Sequence, residues 1–493
     1  MMLGLYTNLF KWLNQEIPYA VWKACHELRV ALDGQGDIDL LVDLEHRKRF
    51  IELVRDHGFV RAEFNSLKFP FVEHYYGFDK EAGKICHLHV YFKMVTGESH
   101  LKSYSIPIEH EILSNKFLNS LDVYEASFGD QALIYSMRHY IKRASLAGFL
   151  FWAHEKKDYI DEYDYIRSGL SSAGRDYSHP DNDNLHCVFN FQSINMATRL
   201  SGYRRAKDTI SSISSFRRFK AIEAALKSLY NFGVRLFYRA FRVRKRLDNG
   251  FVLAISGVDG SGKSSMVKEL HAWLSNYFDV DVLHLGKPTP RGVTLPLRPL
   301  IFLYRIFKGK HRDNYNDPTN YSSGGDLRKK NGFVWGLRYL ALAYERYKLA
   351  HTAYELAGKG VIVICDRYPT LSPGKMDSPR ISSGGSWIVE IMRNYELQLY
   401  KELPRANGLI LLNVSMEEAI KRNRTRIKKD KETDDEIAYR HKENQGLYYS
   451  ANQAFVVDAN RDYESVLKSL KLIAWECLLV NGNRPQKLSV EQS

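Results

Sequence analysis

With 493 residues the chain is too long for one ordinary core, and 44% hydrophobic with 26% charged residues excludes a disordered or fibrous protein. Lysine and arginine number 71 against 57 aspartates and glutamates, a net charge of +14 that favours anionic partners such as nucleotides, nucleic acid or an anionic membrane surface. No run approaches the roughly 18 apolar residues of a membrane span, and five scattered cysteines without a CxxC pair argue against a disulfide framework or a zinc knuckle. A cytoplasmic protein is expected.

The opening MMLGLYTNLFKWLNQEIPYAVWKA reads as a first helix rather than a signal peptide. Residues 1–110 are expected to form an α+β domain. IDLLV (38–42) is an apolar strand, HRKRFIELVRDHGF (46–59) a helix stopped by glycine, and KICHLHVYFKMV (84–95) alternates as a strand does. In DGQGDIDLLVD (33–43), Asp37 and Asp39 alternate along the strand and point to one face, where two carboxylates can hold Mg2+ against a triphosphate. This D-x-D strand after a glycine turn resembles the core of the polymerase-β-like nucleotidyltransferase superfamily. The resemblance implies a nucleotide-handling domain, active or degenerate. The superfamily's Gly-Ser pair is missing, since residues 24–28 read Ala-Cys-His-Glu-Leu. Where a third carboxylate is often supplied, HLHVYF (87–92) offers His87 and His89 on one strand face, as metal ligands or as ordinary half-buried residues.

Residues 111–212 are expected to be a helical extension, as in DQALIYSMRHYIKRASLAGFLFWAHEKKDYI (130–160), broken by a polar loop at 171–184. Residues 213–248 form a connector in which Arg and Lys recur among Phe, Tyr and Leu. Such a basic amphipathic helix docks on a partner domain or lies on an anionic membrane, which would make the protein peripheral at the membrane's inner face.

From 249 to 493 strands and helices alternate: FVLAIS (251–256), SSMVKELHAWLSNYF (264–278), VDVLHL (280–285), a long helix at 335–360, VIVIC (361–365), GLILLNV (408–414) and EEAIKRNRTRIKK (417–429). That order predicts an α/β domain with a doubly wound, mostly parallel sheet. Between the first strand and helix, Gly257-Val-Asp-Gly-Ser-Gly-Lys263-Ser264 matches the G-x-x-x-x-G-K-[ST] phosphate loop. Gly257, Gly260, Ser261, Gly262, Lys263, Ser264 and Ser265 are therefore expected to hold ATP. Backbone amides turn inward, Lys263 reaches the β- and γ-phosphates, and the Ser264 hydroxyl completes a Mg2+ site.

VIVICDRY (361–368) places Asp366 and Arg367 at the carboxyl end of a strand, where open α/β sheets bind ligands. Arg346 lies in the preceding long helix. Arg422, Arg424, Arg426, Lys428 and Lys429 crowd a later one, with Arg422, Arg426 and Lys429 on a single face. The loop with Asp259, the DRY, the earlier arginine and the basic helix, over about residues 250–480, resemble the thymidylate kinase family. That resemblance implies a P-loop kinase domain moving the ATP γ-phosphate to a phosphorylated acceptor. It places Asp259 near the acceptor and the metal, Arg346 and Arg367 on the acceptor phosphate, and the lid arginines Arg422 and Arg426 on the transferring group. Two departures bear on the acceptor. HLGKPTPRG (284–292) stands where the family has Arg-Glu-Pro, and PTLSPGKMDSPRISSGGS (369–386) where it has a stretch ending Tyr-Gln-Gly. A nucleotide or a sugar phosphate both fit, and a homodimer stays open. The alternatives are an ATP-binding regulatory protein that engages nucleic acid, and a nucleotidyltransferase regulated by its P-loop domain.

Overall fold

The computed structural model describes residues 2–64, 68–97, 101–143, 152–172, 221–241, 243–286, 332–425, 433–443 and 449–482, with a few isolated positions. The chain divides into two compact units, Met1–Lys245 and Arg246–Ser493.

In the first unit, helix α1 (Gly4–Glu16) leads into strand β1 (Tyr19–Val21) and β2 (Ile38–Val42). Helix α2 (Arg47–Asp56) ends at Gly58, whose φ of 79° lies in the left-handed region. Strands β3 (Phe59–Glu63), β4 (Val72–Asp79), β5 (Lys84–Tyr91), β6 (Phe117–Leu118) and β7 (Tyr124–Glu125) complete a mixed sheet ordered β3-β4-β5-β2-β1-β7-β6. Its centre positions the chemistry. β2 runs parallel to β5 with Asp39 opposite His89, and β5 runs antiparallel to β4 with His89 opposite His74. Tyr6, Leu9, Phe10 and Leu13 of α1 and Phe50 and Leu53 of α2 are buried in one core with Leu40, Leu88 and Val90. Residues 111–212, expected to be a helical extension, instead begin with strands β6 and β7 of this sheet, and only then turn helical in α3 (Phe128–Arg143) and α4 (Trp152–Ser172); α5 (Ala221–Ala240) falls within 213–248. The loop expected at 171–184 lies, from residue 173 onward, outside the described residues.

The second unit opens with β8 (Phe251–Gly257), whose first five residues are wholly buried, as an apolar run between two helix layers requires. Helix α6 (Lys263–Leu274), β9 (Val280–His284), α7 (Phe333–Gly358), β10 (Ile362–Asp366), α8 (Trp387–Lys401), β11 (Ala406–Asn413), α9 (Met416–Thr425), α10 (Asp434–Glu443), β12 (Ala451–Asp458) and α11 (Tyr463–Gly482) follow. The strands are parallel in the order β9-β10-β8-β11-β12. Val252, Ala254, Val363 and Cys365 pack with Ala350, Ala353 and Ala357 of α7 and Leu399 and Tyr400 of α8. Gly408, on the other face, lies against Cys477 of α11 and Leu253. Alternate residues thus bury against helices on opposite faces, which makes the sheet doubly wound. The order reverses beside β8, and at such a point the strand ends leave a crevice for ligands. The four described cysteines, Cys25, Cys86, Cys365 and Cys477, are buried and free.

Candidate active site

The loop from Gly257 to Gly262 joins β8 to α6. Gly260 and Gly262 have φ of 83° and 87°, left-handed conformations that glycine adopts without strain and that turn amides inward. Gly260 is also held close: a Cβ there would come within 3.0 Å of Ala419, so α9 packs directly on the loop. Lys263 begins α6 and is buried. Its Nζ donates to the Val258 carbonyl (2.6 Å) and stands 4.0 Å from Asp259. Burial, then the charge of Arg367, pushes its amine down to about 8, against the pull of Asp259, Asp366 and Asp377. A lysine folded onto its own loop and short of compensating charge is poised for an anion. Ser264 and Ser265 are exposed on the first turn of α6, and Ser261 is buried in the loop.

Asp366 ends β10 in register with Ile255 of β8, immediately beside the loop. Its Oδ2 accepts from Nδ1 of His284, at the end of β9 (3.0 Å), while its buried Oδ1 has no hydrogen-bond partner among the described residues. Burial works to raise this carboxyl, but His284, Arg367 and Lys263 outweigh it and hold it below its ordinary value. An ionised oxygen without a donor, next to a phosphate loop and an exposed serine hydroxyl, fits a divalent cation accompanying a nucleotide.

Arg367 follows in the left-handed region (φ 69°), uncommon for a side chain of its size. The turn is fixed by its amide donating to the Ile255 carbonyl (2.9 Å). It sends the guanidinium towards the loop, where Nη2 donates to Asp259 (3.0 Å) and Nη1 lies 3.4 Å from Asp377. Asp377 also accepts from Arg346 Nη2 (2.7 Å). Arg346 is buried, and its other donors are taken by the Leu285 and Gly286 carbonyls (3.0 and 2.5 Å) and the Tyr400 hydroxyl (2.5 Å). The structure therefore gathers Lys263, Asp259, Arg367 and, through Asp377, Arg346. It does not bring Arg422 to that group. Arg422 donates to Glu418 (2.9 Å) and the Ala459 carbonyl (2.7 Å), and Arg424 pairs with Asp434 of α10 (2.5 Å). Arg426, Lys428 and Lys429 lie outside the described residues.

Asp377, His284 and Tyr400 join the site without having been expected from the sequence. Asp377 sits in a polar loop resembling any other, and nothing local marks a carboxylate that bridges two arginines. His284 had a signal, since it occupies the carboxyl end of a strand neighbouring the DRY strand.

In the first unit Asp37, Asp39 and His89 offer ligand atoms all within 4.8 Å of one another. His89 Nδ1 is 2.8 Å from Asp39 and 3.4 Å from Asp37, and Lys23 Nζ is 2.8 Å from Asp39. Burial acts to raise the Asp39 carboxyl, but Lys23 and His89 hold it well below the usual carboxylate range. His87 does not join them. Its ring stacks on Tyr76 (4.3 Å between centroids) and its Nε2 shares a hydrogen bond with Nδ1 of His74 (3.0 Å). Burial, then Lys245, pushes His87 down to about 3, and burial, then His89, lowers His74, so both rings are neutral at physiological pH.

No family model matches the chain. Over 238 residues, 47% of this chain and 98% of the relative, it is 25% identical to a probable thymidylate kinase of Staphylothermus marinus. Over 174 residues, 34% of this chain and 70% of the relative, it is 26% identical to YghS, an uncharacterized ATP-binding protein of Escherichia coli K12. A solved thymidylate kinase from Candida albicans aligns over 47% of this chain and 92% of its own, at 17% identity and a TM-score of 0.27. Similarity to a thymidylate kinase thus extends over about half of the chain.

Proposed function

We propose that the second unit transfers the γ-phosphate of ATP to a small acceptor that already carries a phosphate. One observation carries this reading: the phosphate-loop lysine and Arg367 stand 4.0 Å and 3.0 Å from the loop carboxylate Asp259, in one charged cluster at the switch point of a parallel sheet. The probable thymidylate kinase and the ATP-binding relative support it from sequence. Phosphoryl transfer demands positioning and neutralisation of charge spread over oxygens, and these residues supply both.

When ATP enters, the amides of residues 259–264 take the β-phosphate and Lys263 exchanges the Val258 carbonyl for phosphate oxygens. The Ser264 hydroxyl and Oδ1 of Asp366 would hold Mg2+, which would supply positive charge to the phosphates. Arg367 is the acceptor-phosphate ligand, and Asp259 and Asp377 keep its guanidinium aimed across the crevice until the acceptor arrives. Arg346 is a positioning residue: it fixes Asp377 and the 285–286 turn. The 284–292 and 369–386 segments depart from the thymidylate kinase pattern, so the acceptor class is wider than thymidylate and includes nucleoside monophosphates and sugar phosphates. A panel of both, assayed with ATP, tests this. Acceptor-dependent ADP with at least one member is expected; bound ATP with none overturns it.

A second reading concerns the first unit, where Asp37, Asp39 and His89 converge. We infer a divalent-cation site of nucleotidyltransferase type, with His89 in the place of a third carboxylate. Its test is Mn2+ binding to the full chain, read by titration calorimetry and weakened in Asp37→Ala.

A further inference from the structure

Helix α5 is built inside out. Ser228 and Asn231 are buried, while Leu226, Leu229, Tyr230, Leu236, Phe237 and Phe241 are exposed, Leu226 by 64% and Phe241 by 68%. A helix on a globular protein turns its apolar stripe inward, and here the stripe faces out. Its spacing is regular. Leu226, the pair Leu229 and Tyr230, Gly233, the pair Leu236 and Phe237, and Phe241 follow one face at three- and four-residue steps. From Leu226 to Phe241 this is a continuous apolar edge about 22 Å long at 1.5 Å per residue. The Phe237 and Phe241 rings lie 4.4 Å apart, and Tyr238 on the inner side rests on Phe64 just beyond β3 (5.4 Å).

The charge around this edge decides what covers it. Residues 213–247 contain ten lysines and arginines and one acid, Glu223. Within the helix Lys227 and Arg239 are exposed to either side of the stripe, and Lys227 Nζ sits 4.8 Å over the Tyr230 ring. A second copy laid along this face would set these cations against their equivalents. An anionic bilayer meets both demands, since acyl chains take the leucines and phenylalanines while headgroups take the cations and the tyrosine hydroxyl. No helix among the described residues is long and apolar enough to cross a membrane, so this contact lies in the interface plane.

We propose that α5 seats the protein on an anionic lipid surface, through Leu226, Leu229, Tyr230, Leu236, Phe237 and Phe241, with Lys227 and Arg239 on the headgroups. The proposal is independent of phosphoryl transfer. Co-sedimentation of the full chain with phosphatidylcholine vesicles, with and without phosphatidylserine, tests it. Pelleting with the serine lipid, weakened by high salt, is expected. Leu236→Glu with Phe237→Glu should lower vesicle affinity roughly tenfold or more, and Lys227→Glu with Arg239→Glu should remove the preference for phosphatidylserine. All four side chains are exposed, so an unchanged thermal melt accompanies both losses. The proposal is overturned if the wild type stays in the supernatant with phosphatidylserine, or if both variants pellet as the wild type does. It is also overturned if ultracentrifugation finds a wild-type dimer that Leu236→Glu with Phe237→Glu turns into a monomer.

Discussion

Lys263 carries a proton at a cost that ATP removes. In the unfolded chain its amine titrates near 10.5 and in the folded chain near 8. Between those values the unfolded state holds more protons, so stability without nucleotide rises with pH across that window; below about 8 both states are protonated and the whole cost of the buried charge is present. A triphosphate beside the amine restores its affinity for the proton. At pH 8, ATP binding should therefore take up roughly half a proton, visible as different binding heats in buffers of different ionisation enthalpy. Identical heats would contradict the assignment. The two arginines should separate as well. Arg367→Ala should cut turnover with the acceptor by roughly 10²-fold or more while ATP affinity holds. Arg346→Ala should instead lower stability by about 3–5 kcal/mol, because the partly buried Asp377 loses its closest cation and Tyr400 and two carbonyls lose their donor. Arg346→Lys should not rescue it, since an ammonium cannot serve four acceptors arranged for a planar fork. A thermal melt beside steady-state kinetics reads both.

At the scale of elements, α9 and the phosphate loop form one packed unit through Ala419 and Gly260. Gly260→Ala puts a Cβ into a left-handed position against that helix. Stability should fall by about 1–2 kcal/mol from the left-handed strain alone; a thermal melt like the wild type's would show that the loop is not held against α9. The strands β8, β10 and β11 are legible in the sequence because each is an apolar run whose burial depends on its own residues. Helix α8 is not. Val389, Leu399 and Tyr400 turn inward while Trp387, Ile391 and Tyr395 turn outward, so no single stripe stands out. Buried Glu396 adds a polar break, and it accepts from the amides of Arg380 and Ile381. The site divides along the same line. Loop, lysine and DRY are local patterns, whereas Asp377 between two arginines and His89 opposite Asp39 are set by loop path and strand register, which no short window contains.

Across the whole molecule, two sets of charged groups stand in separate compact units, and each answers to its own residues. Asp37→Ala should weaken Mn2+ binding by at least roughly tenfold and leave acceptor-dependent ADP formation as in the wild type. Lys263→Ala should do the reverse. Loss of both activities in either variant would contradict this division. Asp39 adds a pH signature to the first unit. Its carboxyl is held below the ordinary value of 3.8 although burial opposes this, so its stabilising contribution is present above that value and lost as pH falls through the folded one.

The central claim, that the phosphate loop and Arg367 serve transfer to a second molecule, is tested most directly by following labelled γ-phosphate with the best acceptor of the panel. The account predicts label on the acceptor in the wild type, little in Arg367→Ala and none in Lys263→Ala. Label released only as inorganic phosphate, at the same rate with and without every acceptor, would contradict it.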